Sequence, residues 1–285
     1  MHRNTYFITM KPDLPIPQKM LKRGVCVCTP VDFLRQMCSS EKRKSCKLVI
    51  LMASKKSQYV AKALQFIPIR GRKVFYYWDC VQSGYAPRPD TLSSLKWELW
   101  SFDPGDCQKY GMQYNPQFYF IEDAQDNMAN HSRAAFYVGN DRGRYAKLDK
   151  IRNEIESVGY VADFHIVADE SSTDVENRRY AERMEYSEVL EHISAAKAIV
   201  EVTMEGQTGL SIRGVECLFC NKKLITNNSY IVNEAFYNPQ NVYVMDGGGD
   251  ISEFLESDYK PLPEELVNQY EFSWWIQRFL KENAG

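Results

Sequence analysis

The chain has 285 residues, 44% of them hydrophobic and 25% charged, with a formal net charge of −2. That composition is ordinary for a folded chain of two domains or one large one, and it excludes intrinsic disorder. No stretch approaches the roughly eighteen consecutive apolar residues of a spanning helix, and the opening MHRNTYFITMKPD lacks the apolar core of a secretory signal.

Short apolar runs rich in β-branched and aromatic residues predict strands at Thr5–Met10, Val25–Cys28, Leu48–Ala53, Val74–Val81, Leu99–Phe102 and Gln117–Ile121. Helix-like stretches, such as Val31–Ser39 and Ser57–Phe66, lie between them. Residues 122–133, EDAQDNMANHSR, are polar, contain no β-branched residue, and read as a linker. The pattern then restarts. Ala134–Val138 is a predicted strand. Arg144–Ser157 is an amphipathic helix with Leu148, Ile151 and Ile155 on one face, closed by Gly159 in the C-cap position. Further strands are predicted at Asp163–Val167, Ala198–Val202, Lys223–Thr226 and Asn241–Met245, with helices near 186–196, 210–220 and 229–236. Pro261 and Pro263 introduce a last helix, Glu264–Lys281, expected to pack across the two halves.

This alternation predicts an α/β fold of two Rossmann-like domains with parallel sheets. They are a first domain over 1–125, a second over 134–262, and a closing helical segment over 263–285, with the two domains facing across a cleft.

The small net charge hides a strong asymmetry. Residues 1–75 hold sixteen Lys and Arg against three acids (Asp13, Asp32 and Glu41), a balance of +13, so the remaining chain carries −15. A basic first segment suits an anionic membrane, a nucleic acid or an anionic small molecule. The eight cysteines are expected to be reduced and mostly buried, since Cys217-x-x-Cys220 has no second pair to complete a zinc site. The four histidines (His2, His131, His165, His192) show no metal-ligand spacing, so a metal enzyme is disfavoured.

In open α/β sheets, ligands bind beyond the carboxyl ends of the strands. Three loops of the second half meet that rule. Gly139-Asn140-Asp141-Arg142-Gly143-Arg144 joins a strand to a helix N-terminus, where backbone N–H groups and Arg142, Arg144 and Lys147 suit a phosphate. It is not a GxGxxG fingerprint, so a nicotinamide or flavin cofactor is not indicated. Residues 205–216 bracket Gln207 and Thr208 with Gly206 and Gly209, and then place Arg213 and Glu216 one turn apart. They read either as a surface ion pair or as an arginine for phosphate beside a carboxylate for a ribose diol. Thr226 and Asn227 end the next strand. In the first half, Asp79 and Asp13 follow strands and are candidate general bases; Asp103 and Asp106 read more readily as turn or cap residues.

The segments YYWDC (76–80), SFDPGDCQKYGMQYNPQFY (101–119), FYVGNDRGR (136–144), EGQTGLSIRGVECLFCNKKLITNN (205–228) and FYNPQNVYVMD (236–246) resemble bacterial lipopolysaccharide and capsular-polysaccharide glycosyltransferases with the GT-B fold. The resemblance implies a nucleotide-sugar donor site in the second half, with Glu216 on the donor ribose and Arg142, Arg144 and Arg213 as candidates for the diphosphate. Thr208 stands where retaining relatives usually carry a glutamate, so retention of configuration is not supported.

The expected protein is thus a cytoplasmic glycosyltransferase, peripheral on the inner face of the membrane. It is expected to move a sugar to a hydroxyl of a lipid-linked saccharide in lipopolysaccharide or capsule synthesis. Its only cofactor-like ligand is the nucleotide sugar, and the absence of a suitable DxD motif argues for metal-independent chemistry. Nucleic acid is a disfavoured partner, because the basic segment lacks an interleaved aromatic platform. The competing classes are a non-enzymatic nucleotide- or nucleic-acid-binding regulator and a sugar-nucleotide epimerase.

Overall fold

The computed structural model describes residues 2–124, 133–245 and 247–281, so most of the linker read at 122–133 lies outside the described residues. The chain divides into two compact units, Met1–Gln117 with Ser273–Gly285, and Phe118–Phe272. Both are parallel-sheet α/β structures.

In the first unit the chain runs β1 (Thr5–Ile8), α1 (Pro15–Lys22), β2 (Cys26–Cys28), α2 (Pro30–Met37), α3 (Ser40–Ser45), β3 (Leu48–Met52), α4 (Ser57–Leu64), β4 (Arg72–Tyr77), β5 (Glu98–Ser101), α5 (Pro104–Tyr110) and β6 (Gln113–Tyr114). The strands form one parallel sheet in the order β2-β1-β3-β4-β5-β6. Its central strands are buried on both faces, which is why LVILM and VFYY read as unbroken apolar runs rather than alternating ones. Thr29 caps α2, its hydroxyl accepting from the Asp32 amide, and Pro30 occupies the first turn, where a missing N–H costs nothing.

The second unit runs β7 (Ala134–Asn140), α6 (Tyr145–Ser157), β8 (Val161–Val167), α7 (Tyr186–Ala195), β9 (Ala198–Glu201), α8 (Ile212–Phe219), β10 (Lys223–Thr226), β11 (Val242–Val244), α9 (Ile251–Glu256) and α10 (Glu264–Asn268). Its parallel sheet has the order β11-β10-β9-β7-β8. The predicted stripe of α6 (Leu148, Ile151 and Ile155) is buried against this sheet. Gly159 closes the helix at φ +78°, its amide reaching the Glu156 carbonyl while the Tyr160 amide reaches Ile155, the paired bonds of a Schellman turn.

Three expectations need correction. Gln117–Ile121 is not a ladder strand. Tyr119 makes one bridge, its amide donating to the Tyr270 carbonyl and its carbonyl accepting from the Phe272 amide. The aromatic residues that mimic a strand there are instead packed, Phe118 and Phe120 both lying against Phe272. That bridge also breaks the predicted single helix Glu264–Lys281 into α10 and α11 (Phe272–Leu280), because it takes the Tyr270 carbonyl and the Phe272 amide. The helix predicted near 229–236 is a short 3₁₀ turn at Ser229–Asn233.

From Ser273 on, α11 belongs to the first unit. Trp275 and Phe279 pack edge-on against Tyr76, and Phe279 against Trp100. Arg72 donates to the Phe279 and Lys281 carbonyls while pairing with Glu98.

Candidate functional site

The strand order of the second sheet reverses direction between β7 and β9, which makes their carboxyl ends the switch point where open α/β sheets take ligands. Two helix N-termini open there. The β7–α6 turn places Arg142 and Gly143 both at positive φ (48° and 72°), and α6 begins two residues later. The β9–α8 loop ends at Ser211, whose hydroxyl caps α8 by accepting from the Arg213 amide.

These loops are held by three carboxylates, two of them buried. Asp141, wholly buried, accepts from the Tyr145 amide at 2.9 Å and from the Tyr180 hydroxyl at 2.6 Å. Asp169 accepts from the Arg142 amide at 2.9 Å, and its pKa is lowered by bonds from Ser171 and Arg142 that outweigh its desolvation. Glu201 ends β9 and is 2% exposed. One of its oxygens accepts from the Ser211 amide (3.0 Å) and the other from the Thr226 hydroxyl (2.6 Å), so it ties α8 to β10.

Arg144 bridges the switch point itself. Its guanidinium donates to the carbonyls of Asn140, Asp141 and Val202, which joins the β7 and β9 loops. Arg142 is half-buried, and Arg213 keeps 20% of its side chain exposed. Beneath them lies the phenol of Tyr137, its hydroxyl 3.5 Å from the Asn140 carbonyl. Burial raises its pKa, while the positive charges of Arg144, Arg213 and Arg142 oppose that rise. Two guanidinium groups of the β7–α6 turn and one from the first turn of α8 therefore act on one phenol.

Glu216 is fully buried. It pairs with Arg213, and its other oxygen accepts from the Tyr186 hydroxyl at 3.0 Å. Burial raises its pKa, and Arg213 pulls it back. In this conformation the Glu216 carboxylate is held between Arg213 and the Tyr186 hydroxyl. Thr226 is equally buried and bonded to Glu201, whereas Asn227 is half-buried, its side chain tied to the amide and carbonyl of Thr203. Gln207 and Thr208 are half-buried. The Gly209 carbonyl accepts from Gln207 at 3.0 Å, and the Thr208 carbonyl from Asn228 at 3.1 Å. A Cβ added at Gly139 would lie 3.0 Å from the Tyr137 hydroxyl, so a larger residue there would crowd that ring.

In the first unit, Asp79 is half-buried just beyond β4, and Asp13 is exposed between β1 and α1. Asp103 caps α5, accepting from the Asp106 amide at 2.9 Å. Asp106 in turn accepts from the Val81 amide at 2.7 Å, and burial raises its pKa. Asp103 is thus a helix cap, whereas Asp106 ties the start of α5 to the segment after β4. None of the eight cysteines is paired in a disulfide.

Sequence reasoning missed Glu201, Asp141, Asp169 and Tyr137. An acid that closes an apolar strand run, as in AIVE, was the available signal for Glu201. It also missed a cluster of Asp163, His165 and His192, whose members are up to 29 residues apart and become adjacent only in the fold.

No protein-family model and no curated protein sequence matches the chain. Solved structures do. HepE of Anabaena, in complex with UDP and glucose, is similar with a TM-score of 0.63 at 8% identity, over 97% of this chain and 98% of that one. Sucrose-phosphate synthase of Thermosynechococcus elongatus gives 0.61 at 10% identity, over 96% of each chain. An α-glucosyltransferase in complex with UDP and a 13-mer DNA gives 0.56 at 12% identity, over 97% of this chain and 99% of that one. These likenesses span both units, and the chain has the two-domain α/β fold of the GT-B glycosyltransferases.

Proposed function

We propose that this protein is a glycosyltransferase that takes a nucleotide-activated sugar at the carboxyl ends of β7 and β9. The observation that carries this reading is that two helix N-termini, those of α6 and α8, open at the switch point, with Arg142 and Arg144 in the turn before one and Arg213 in the first turn of the other. Arg144 braces the two loops, so Arg142 and Arg213 are the groups assigned to the donor diphosphate. With the helix ends they offset the negative charge that grows on the leaving nucleoside diphosphate, without a metal. Gly139 lets the phosphates approach the backbone. Gln207, Thr208, Gly209 and Asn227 line the sugar and ribose side, and Glu216 sets the direction of Arg213.

The transfer breaks the bond between the anomeric carbon and the diphosphate oxygen and forms one to an acceptor hydroxyl. A carboxylate takes the hydroxyl proton; Asp79 is the first candidate and Asp13 the second. The acceptor is a saccharide, on a lipid carrier, in the synthesis of an envelope polysaccharide. The basic first 75 residues support attachment to an anionic membrane surface, with about 1 kcal/mol for each basic residue close to it. Among the described residues, no helix is long and apolar enough to cross a membrane.

A screen of nucleotide sugars that follows release of nucleoside diphosphate tests the reading. Release that depends on an added saccharide acceptor is expected. Binding without turnover would favour a sensor, and donor conversion without transfer an epimerase. Sedimentation with anionic vesicles at low and high salt tests the membrane assignment, which fails if binding ignores both salt and lipid charge.

A further inference from the structure

Asp163 and His165 lie two apart on β8 and so project from the same face of the sheet, towards α7, which carries His192. The Asp163 carboxylate joins the two imidazoles. One oxygen is 2.9 Å from His165 Nε2 and the other 2.6 Å from His192 Nδ1. The three prospective ligand atoms all lie within 4.8 Å of one another. The His192 ring stacks on Phe136, a fully buried residue of β7, with planes 16° apart and centroids 5.1 Å apart. His165 meets His192 edge-on, with centroids 4.8 Å apart. The stacking fixes the direction of the His192 ring edge before any ligand arrives.

We propose that Asp163, His165 and His192 bind a divalent transition-metal ion of the zinc class. Two imidazole nitrogens and one carboxylate oxygen are a donor set suited to such ions, and they leave a fourth tetrahedral position for water. Between 26% and 35% of each side chain is exposed, so the ion can enter without unfolding the unit. On binding, His165 Nε2 and His192 Nδ1, the two nitrogens that now face Asp163, present their lone pairs to the ion.

The site is separate from the donor loops. Asp163 pairs in register with Phe136 and His165 with Val138, below the turn that begins after Asn140. A metal there pins β8 to α7, the two elements that bracket residues 168–185. That segment supplies Asp169 and Tyr180, the partners of the Asp141–Arg142 turn. The role is structural, and it stands whether or not the donor site is correctly assigned.

The test uses the full chain, stripped with a chelator and titrated with Co²⁺ and then Zn²⁺. One equivalent of Co²⁺ should bind with visible d–d absorption and without the intense near-ultraviolet band of thiolate ligation. Zn²⁺ should displace it and raise the thermal midpoint. His165→Gln and His192→Gln should each weaken binding at least about tenfold, since even outer-shell changes cost that much. Cys26→Ser/Cys28→Ser should leave it unchanged. Melting of each metal-free variant checks that it is folded, and Asp163→Asn serves in place of any that is not. No saturable binding, a thiolate band, or unaltered affinity in both histidine variants would overturn the proposal.

Discussion

Arg213 and Glu216 form an ion pair one turn apart on α8, with Glu216 fully buried and the Arg213 side chain reaching the surface at the switch point of the second sheet. The pair couples stability to the candidate site, because the arginine proposed to meet the donor is aimed by a carboxylate that water does not reach.

The Glu216 carboxyl has a pKa raised by burial. A raised acid pKa means the folded state holds its proton longer than the unfolded chain. The associated stability is therefore full below the ordinary carboxylate pKa of about 4.3 and is lost as pH rises through the folded value. Glu216→Gln should flatten that part of the profile, as measured by denaturant unfolding across the acid range. Arg213→Ala alone should cost about 3–5 kcal/mol, because it leaves a buried acid without its partner.

Donor affinity is best read in variants that keep the interior neutral. Arg142→Ala should lower nucleoside diphosphate affinity at least about tenfold, equivalent to about 1.4 kcal/mol, with unchanged melting. The double variant Arg213→Met/Glu216→Gln should do the same without the instability of the single change. Calorimetric titration with nucleoside diphosphates decides this, and unchanged affinity in both would remove the arginines from the site.

Asp79→Asn should abolish turnover and leave donor affinity nearly intact, the behaviour of a group needed only for the acceptor proton. If full activity survives and Asp13→Asn is inactive, the second candidate takes the role. Steady-state rates with a saturating donor separate the two.

Gly214, in α8, has no room for a side chain. A Cβ there would lie 2.2 Å from Leu210 Cδ1 and 3.3 Å from a Glu201 oxygen. Gly214→Ala should destabilise by about 1–3 kcal/mol, as overpacking of a filled core does. It should also weaken nucleotide binding, since Glu201 fixes the start of α8. Denaturant unfolding and nucleotide titration measure the two effects.

The sequence by itself determined the α/β class, most strands, the cap at Gly159 and the three loops after β7, β9 and β10. Each is local. A parallel strand buried on both faces leaves an unbroken apolar run, a helix buried on one face leaves a 3.6-residue period, and a Schellman turn needs a residue that tolerates positive φ. Local pattern also misled. The aromatic run Gln117–Ile121 has strand composition, yet its one bridge and its packing on Phe272 depend on a segment some 150 residues later. Tertiary structure alone decided what each of these side chains touches. Arg144 and Arg213 look alike in the sequence, but one is held by three carbonyls and the other is aimed by Glu216. Histidines too far apart for a spacing rule became neighbours of one aspartate, because α7, the next helix after β8, packs on the sheet face from which Asp163 and His165 project. Partners brought together by packing carry no signature in the order of residues.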